Sequence, residues 1–255
     1  MREFIPPSED FPYPQYLVSG YDALAAWEDL KLEHKDCTPV ILGSYQTIAP
    51  LRGDPFFRKK HQIEKQLKQA EALDFPAGYL QHLDEQYAKF LKKYGKRLGV
   101  ANFDPDDPSD EDLLGSWPDE PLPQETDDLK NVTVVYDIAT QAIRTEIPIV
   151  LLPTPDWTEA PIYLGWGGWN ACPSPQWHVA AFRRWKERYG AELVGLSSDT
   201  LNMRVQNRPT TREEAIDLAW EQYRYCEDIV SQGVGDISTL AADLISSNWW
   251  YFWWD

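Results

Sequence analysis

The chain has 255 residues, of which 43% are apolar, and a formal net charge of −17. That length and apolar content fit one large or two small globular domains and exclude disorder of the whole chain. The acidity argues against sequence-independent binding to nucleic acid and against adhesion to an anionic membrane, since both need a basic field.

Met1 to Asp10 lacks the basic start and apolar run of a signal peptide, and no later segment approaches the roughly 18 apolar residues that span a bilayer. The cytoplasm is therefore the expected compartment. Three cysteines, Cys37, Cys172 and Cys226, are odd in number and lack metal-ligand spacing. They read as reduced thiols, with no metal site and no cofactor expected.

After a Pro-rich arm, residues 20–34 place Leu24, Trp27 and Leu30 on one helical face, with Asp22 as N-cap, and Thr38 to Gly43 reads as a short buried strand. Residues 58–98 read as two helices broken near 74–78, the second ending in a basic cluster of Lys89, Lys92, Lys93, Lys96 and Arg97 that suits a helix C-terminus, with an anion or nucleic-acid patch as the alternative. From Asp104 to Asp128 there are eleven acids, five prolines and no Lys or Arg. Like charges extend a chain, so 104–130 is expected to be an acidic linker between an N-terminal α/β region, 1–103, and a C-terminal region, 131–255. A surface that attracts a basic partner is the functional alternative for the same stretch.

Beyond it, 132–137 and 147–152 read as strands, followed by a regular series. Ile162 to Trp166 is expected as a strand. Ser174-Pro175 opens a helix whose stripe includes His178, Ala181, Phe182, Trp185 and Tyr189, closed by Gly190. Strands follow at 192–196 and 200–205. Thr211 with Glu214 forms a capping box before a long helix, and a shorter helix at 237–245 leads to a terminal strand of alternating aromatics. From Ile162 the order is βαββαβ, so the expected fold is α+β with a ferredoxin-like C-terminal half. Because Trp249, Tyr251 and Trp253 oppose Trp250, Phe252 and Trp254, both faces of that strand need cover, which the N-terminal region is expected to supply, giving one cooperative fold.

Trp166-Gly-Gly-Trp-Asn-Ala-Cys-Pro173, Arg188 to Val194, Tyr225 to Gly233 and the closing Trp253-Trp-Asp255 carry a resemblance. Over roughly residues 155–255 the chain resembles the bacterial family called domain of unknown function 4253, and Val18 to Leu24 and Pro39 to Gly43 resemble the weaker N-terminal region of longer members. What the resemblance implies for activity is an association only: small bacterial α+β proteins of this kind are often proposed as immunity proteins for secreted toxins.

Metalloprotease, P-loop, nucleophile-elbow and zinc-ribbon motifs are absent. Gly165, Gly167 and Gly168 could hold an anion against backbone N–H groups, but the dinucleotide spacing breaks at Asn170, and a tight turn explains them as well. Cys172 is the candidate nucleophile, ahead of a helix N-terminus that would lower its pKa, with His178 six residues on as its base. A packed thiol at a strand-to-helix junction is the bland alternative. Asn170, Glu192 and Asp199 each sit near a strand end and could converge, the paired carboxylates supporting acid–base work or a metal, although capping and solvated roles are commoner for such residues. Among the ten tryptophans beyond residue 156, Trp185 and the terminal strand read as core. Trp166, Gly168, Trp169 and Trp177 border the candidate binding loop, with Trp169 and Trp177 expected at the surface.

The expected function is non-catalytic protein binding, of which an immunity or antitoxin-type inhibitor meeting a basic toxin is the specific form. The alternative is an enzyme or small-ligand-binding protein with a pocket around Trp166 to His178. The sequence does not fix the oligomeric state.

Overall fold

A computed structural model describes residues 2–8, 11–43, 60–90, 92–93, 110–120, 122–123, 125–137 and 139–255. Lys96, Arg97 and residues 104–109 of the expected acidic linker lie outside the described residues. Among the described residues the architecture is mixed α/β around one seven-stranded sheet in the order β1-β2-β4-β3-β5-β6-β7. The strands are β1 (Glu3–Ile5), β2 (Gln15–Val18), β3 (Thr38–Leu42), β4 (Ile147–Leu152), β5 (Glu192–Leu196), β6 (Thr200–Arg204) and β7 (Trp249–Trp253). Neighbours run antiparallel except β3 and β5, which are parallel through Ile41 opposite Gly195 and Leu42 opposite Leu196. The helices are α1 (Ala23–Glu33), α2 (Lys60–Glu71), α3 (Ala77–Phe90), α4 (Asp110–Leu114), α5 (Ala160–Leu164), α6 (Pro175–Tyr189), α7 (Arg212–Tyr225) and α8 (Ile237–Ser246).

Local chemistry sets most helix ends. Thr211 Oγ1 accepts from Glu214 N at 3.1 Å, while the Glu214 carboxylate reaches back to Thr210 N at 2.9 Å, one residue beyond the usual box. Asp236 accepts from Thr239 N at 2.7 Å to cap α8, and Gly190 closes α6 at φ +57°. Asp22 makes no side-chain cap, and Ser19 instead accepts from Tyr21 N at 3.3 Å in the turn before α1.

Two expected strands do not form. Residues 160–164 are the short helix α5, because Pro161 lacks the N–H a ladder needs but fits a first helical turn, and Gly165 ends the helix in the left-handed region at φ +61°. Thr133–Val135 is a 3-10 turn. Its Thr133 hydroxyl and Val134 N–H are taken by Asn202 of β6 at 3.1 and 3.2 Å, so the segment lies across the sheet instead of in it. The expected ferredoxin-like order began with a strand at Ile162, and that segment is helical. β7 ends at an edge beside β6, and the N-terminal strand β3 separates β4 from β5.

Strand alternation divides the core. Val40, Leu42, Val150, Leu152, Leu201, Met203, Trp250 and Phe252 face α5 to α8, whose Phe182, Trp185, Leu218 and Tyr225 pack on them. Ile41, Ile147, Ile149, Leu151, Val194 and Trp249 face the other way, against Ala23, Ala26, Trp27 and Leu30 of α1 and Val132 to Val135. Cover for the second face thus comes from α1 and the 132–135 segment, whereas α2 packs on the first side, Ile63 and Ala70 against Ile162 and Val179. The cover is incomplete at β7: Trp249 is buried, Trp253 half-buried, and Tyr251 is 47% exposed.

Trp185 is the hub of the first face. Its ring stacks on Phe252 at 5.3 Å and meets Tyr225 edge-on at 4.8 Å. Its Nε1 donates to Glu221 at 2.6 Å, and Glu221 also takes the Arg184 guanidinium at 2.8 and 3.0 Å. A carboxylate this buried requires such pairing.

Candidate functional site

The Trp-Gly loop between α5 and α6 is a wrapped turn. Gly167 holds φ +106°, and a Cβ there would collide with Pro173 O and the His178 ring, so only glycine lets the loop close on α6. Gly168 N donates to Pro173 O at 2.8 Å, and Cys172 N to Trp169 O at 2.8 Å. The Trp166 indole then lies on His178, centroids 4.7 Å apart, and its Nε1 reaches Ser197 O at 2.7 Å at the end of β5. Trp254 closes the other side at 5.8 Å from the same imidazole.

The sequence-predicted pair does meet. Cys172 Sγ lies 3.4 Å from His178 Nε2, and His178 Nδ1 lies 2.5 Å from Tyr225 Oη. His178 is 0% exposed, and Cys172 and Tyr225 are buried. Burial lowers the imidazole pKa to about 3, against a weaker upward pull from the Pro173 carbonyl. Burial likewise raises the thiol and holds the phenol well above its ordinary value. The helix N-terminus expected to activate Cys172 is thus outweighed by the loss of water. The imidazole thus has a neighbour at each nitrogen, the Cys172 thiol at Nε2 and the Tyr225 hydroxyl at Nδ1. The arrangement is a neutral, hydrogen-bonded chain under two indoles, suited to fixing the loop and unsuited to generating a thiolate.

The other predicted residues separate. Trp177 is buried against Tyr79 at 5.2 Å and His82 at 5.4 Å, contrary to its expected surface position, because α3 covers that side of α6. Trp169 is half-buried, edge-on to Trp166 at 5.1 Å, and Gly168 is exposed. Asn170 is exposed at φ +46° and donates to Asp255 O at 2.7 Å. Asp199 accepts from the Ser197 and Thr200 hydroxyls, both at 3.0 Å, and its carbonyl accepts from Trp254 N at 3.0 Å. Glu192 sits at the opposite end of β5, paired with Lys31 at 2.6 Å and Arg204 at 3.5 Å over the Trp27 ring. Asn170 and Asp199 therefore both hold the closing residues, while Glu192 belongs to a charged clamp on α1. The expected convergence of all three does not occur.

Residues 148–255 match the family model described as Domain of unknown function (DUF4253). The DUF4253 region contains the Trp-Gly loop, the Cys172–His178–Tyr225 chain and β7, but none of β1 to β3. Comparison with curated proteins and with solved structures yields no match. Among the described residues no group of three or more His, Cys, Asp or Glu side chains could hold a metal ion, and no helix is long and apolar enough to cross a membrane.

Periodicity alone missed where the DUF4253 region is open. Two clefts, of about 450 and 580 Å³, share Lys130, Thr133, Tyr251 and Trp253, so they flank the exposed part of β7. A third, of about 570 Å³, lies over α6 and α7, where Arg184, Arg188 and Arg224 are matched by Glu111, Asp217 and Glu221. The sign that could have drawn attention to β7 is its composition, an end strand of five aromatics with no charge among them.

Proposed function

We propose that the protein acts by binding another protein without catalysis, its acidic surface meeting a basic partner. Neutralisation of a bacterial toxin by an immunity-type protein is the specific form of that reading. The observation that carries it is the state of Cys172: the best nucleophile of the sequence is buried, its pKa is raised by the loss of water, and it lies beside an imidazole that Trp166 and Trp254 cover. The net charge of −17 supports fast, salt-sensitive encounter with a cationic partner. The alternative, a pocket around Trp166 to His178, has less to support it, since none of the three clefts described above is lined by Trp166, Cys172 or His178.

Affinity purification from the native host with the full chain as bait, followed by equilibrium binding of the purified partner, tests the reading. The expected partner is basic, its affinity falls steeply with added salt, and Cys172→Ser binds it as the parent does. Recovery of no specific partner, or a binding activity lost with Cys172→Ser in a folded protein, overturns it.

A further inference from the structure

The two ends of the sheet are finished differently. β1 is three residues long with Glu3 exposed, the usual protection of an edge. β7 offers Trp-Trp-Tyr-Phe-Trp at the other edge without Lys, Pro or a charge. Trp254 N bonds Asp199 O and Asn248 O accepts from Val205 N, so even-numbered residues face β6 and Trp249, Tyr251 and Trp253 turn their main-chain groups outward. Ser247 Oγ satisfies both main-chain groups of Trp249 at 3.0 Å, and Cys226 Sγ lies 2.9 Å from Trp253 O. Tyr251 N–H, Tyr251 C=O and Trp253 N–H have no partner among the described residues.

These groups run along the 450 Å³ cleft between residues 228–234 and Pro123, Glu125, Lys130, Asn131 and Thr133. Gln222 Nε2 and Trp250 Nε1, on side chains that line it, are buried donors that also have no partner among the described residues. Its charged side chains are Glu125, Asp228 and Asp243 against Lys130 alone, and Lys130 is already paired with Glu125 at 3.2 Å. Burial raises the Asp243 carboxyl above its ordinary pKa, so a nearby cation would be welcome. We infer that this groove receives an extended, basic segment of a partner protein, added to the sheet as an eighth strand on β7. One incoming residue pairs antiparallel with Tyr251 through both main-chain groups, and a Lys or Arg beside it reaches Asp243. A second copy of the chain is disfavoured as occupant because two molecules of charge −17 repel.

This inference rests on the protein-binding reading above. The test is selection of a random linear peptide library on the full chain, with amide hydrogen exchange on the complexes. Enriched peptides are expected to be basic and strand-forming, and to protect the Tyr251 and Trp253 amides. N-methylation of the peptide residue opposite Tyr251 is expected to weaken binding at least tenfold. Tyr251→Ala keeps the main-chain donor and should bind within about threefold of the parent, whereas Tyr251→Pro removes an N–H that β6 does not use and should lose at least tenfold. If Tyr251→Pro fails to fold, the N-methyl scan and a several-fold loss in Asp243→Asn decide. No enrichment, acidic sequences, self-association, or bound peptides that leave both amides unprotected overturn the inference. A natural partner that binds while leaving those amides exchanging removes the edge site and spares the protein-binding reading, whereas the absence of any partner removes both.

Discussion

Two tryptophan-lined places in the molecule use similar side chains to opposite ends. At Cys172, His178 and Tyr225, indoles from Trp166 and Trp254 exclude water and leave every titratable group neutral. At β7, Tyr251 and Trp253 border open clefts, and main-chain groups stay available. The lesson is that a reactive residue type does not make a site. Cys172 has the sequence position of a nucleophile and the surroundings of a core residue, while the plain backbone of Tyr251 has the access that recognition requires.

If the first place is core and the second is surface, stability and binding should respond to different substitutions. The largest effect is expected at the hub of the sealed side: Trp185→Ala empties the space between Phe252 and Tyr225 and strands the Glu221 carboxylate, costing about 3–5 kcal/mol in urea unfolding. Next comes pH. The His178 pKa, about 3 in the folded protein, is below its ordinary 6.5. The unfolded chain therefore binds a proton that the folded one refuses, and stability falls as pH drops through that window. From pH 7 to pH 5 this group alone removes about 2 kcal/mol. His178→Phe should flatten that part of the slope whatever its own cost, and an unchanged slope would mean that the imidazole is not sealed. Cys172→Ser keeps a small hydrogen-bonding group in place and should cost about 1 kcal/mol by the same unfolding measurement, with no loss of binding. Smallest of all, Tyr251→Ala should change stability by no more than about 0.5 kcal/mol, as expected of an exposed side chain. A cost there as large as that of Cys172→Ser would erase the contrast.

Much of the fold was legible where the rules are local. α6, α7 and α8 follow from Pro175, Thr211 and the apolar spacing, and β3 to β7 from short apolar runs. The segment 160–164 misled because Ile162 and Leu164 alternate like a strand over a stretch too short to show a helical period, while Pro161 was the decisive residue. Sheet order was not legible, since β3 is set between β4 and β5 by packing between residues more than a hundred apart. The candidate site divided in the same way. His178 lies six residues from Cys172 and could be found by counting, but Tyr225, 47 residues further on and in contact with the other ring nitrogen, leaves no local trace. The opening at β7 was hidden because alternation reports which residues could be buried, and Tyr251 lacks a cover that nothing in its own sequence specifies.

The placement of β3 bears on how the chain is made. Residues 38–42 leave the ribosome more than a hundred residues before either of their neighbours, 147–152 and 192–196. The middle of the sheet therefore cannot close while the N-terminal part is alone, and β3, apolar on both sides, must wait unpaired until β4 and β5 have been synthesised. Such long-range closure is slow, and the waiting strand is the segment most in need of a chaperone. The DUF4253 stretch made without residues 38–42 would have β4 and β5 with a gap between them, and its expected fate is aggregation through those two bare edges.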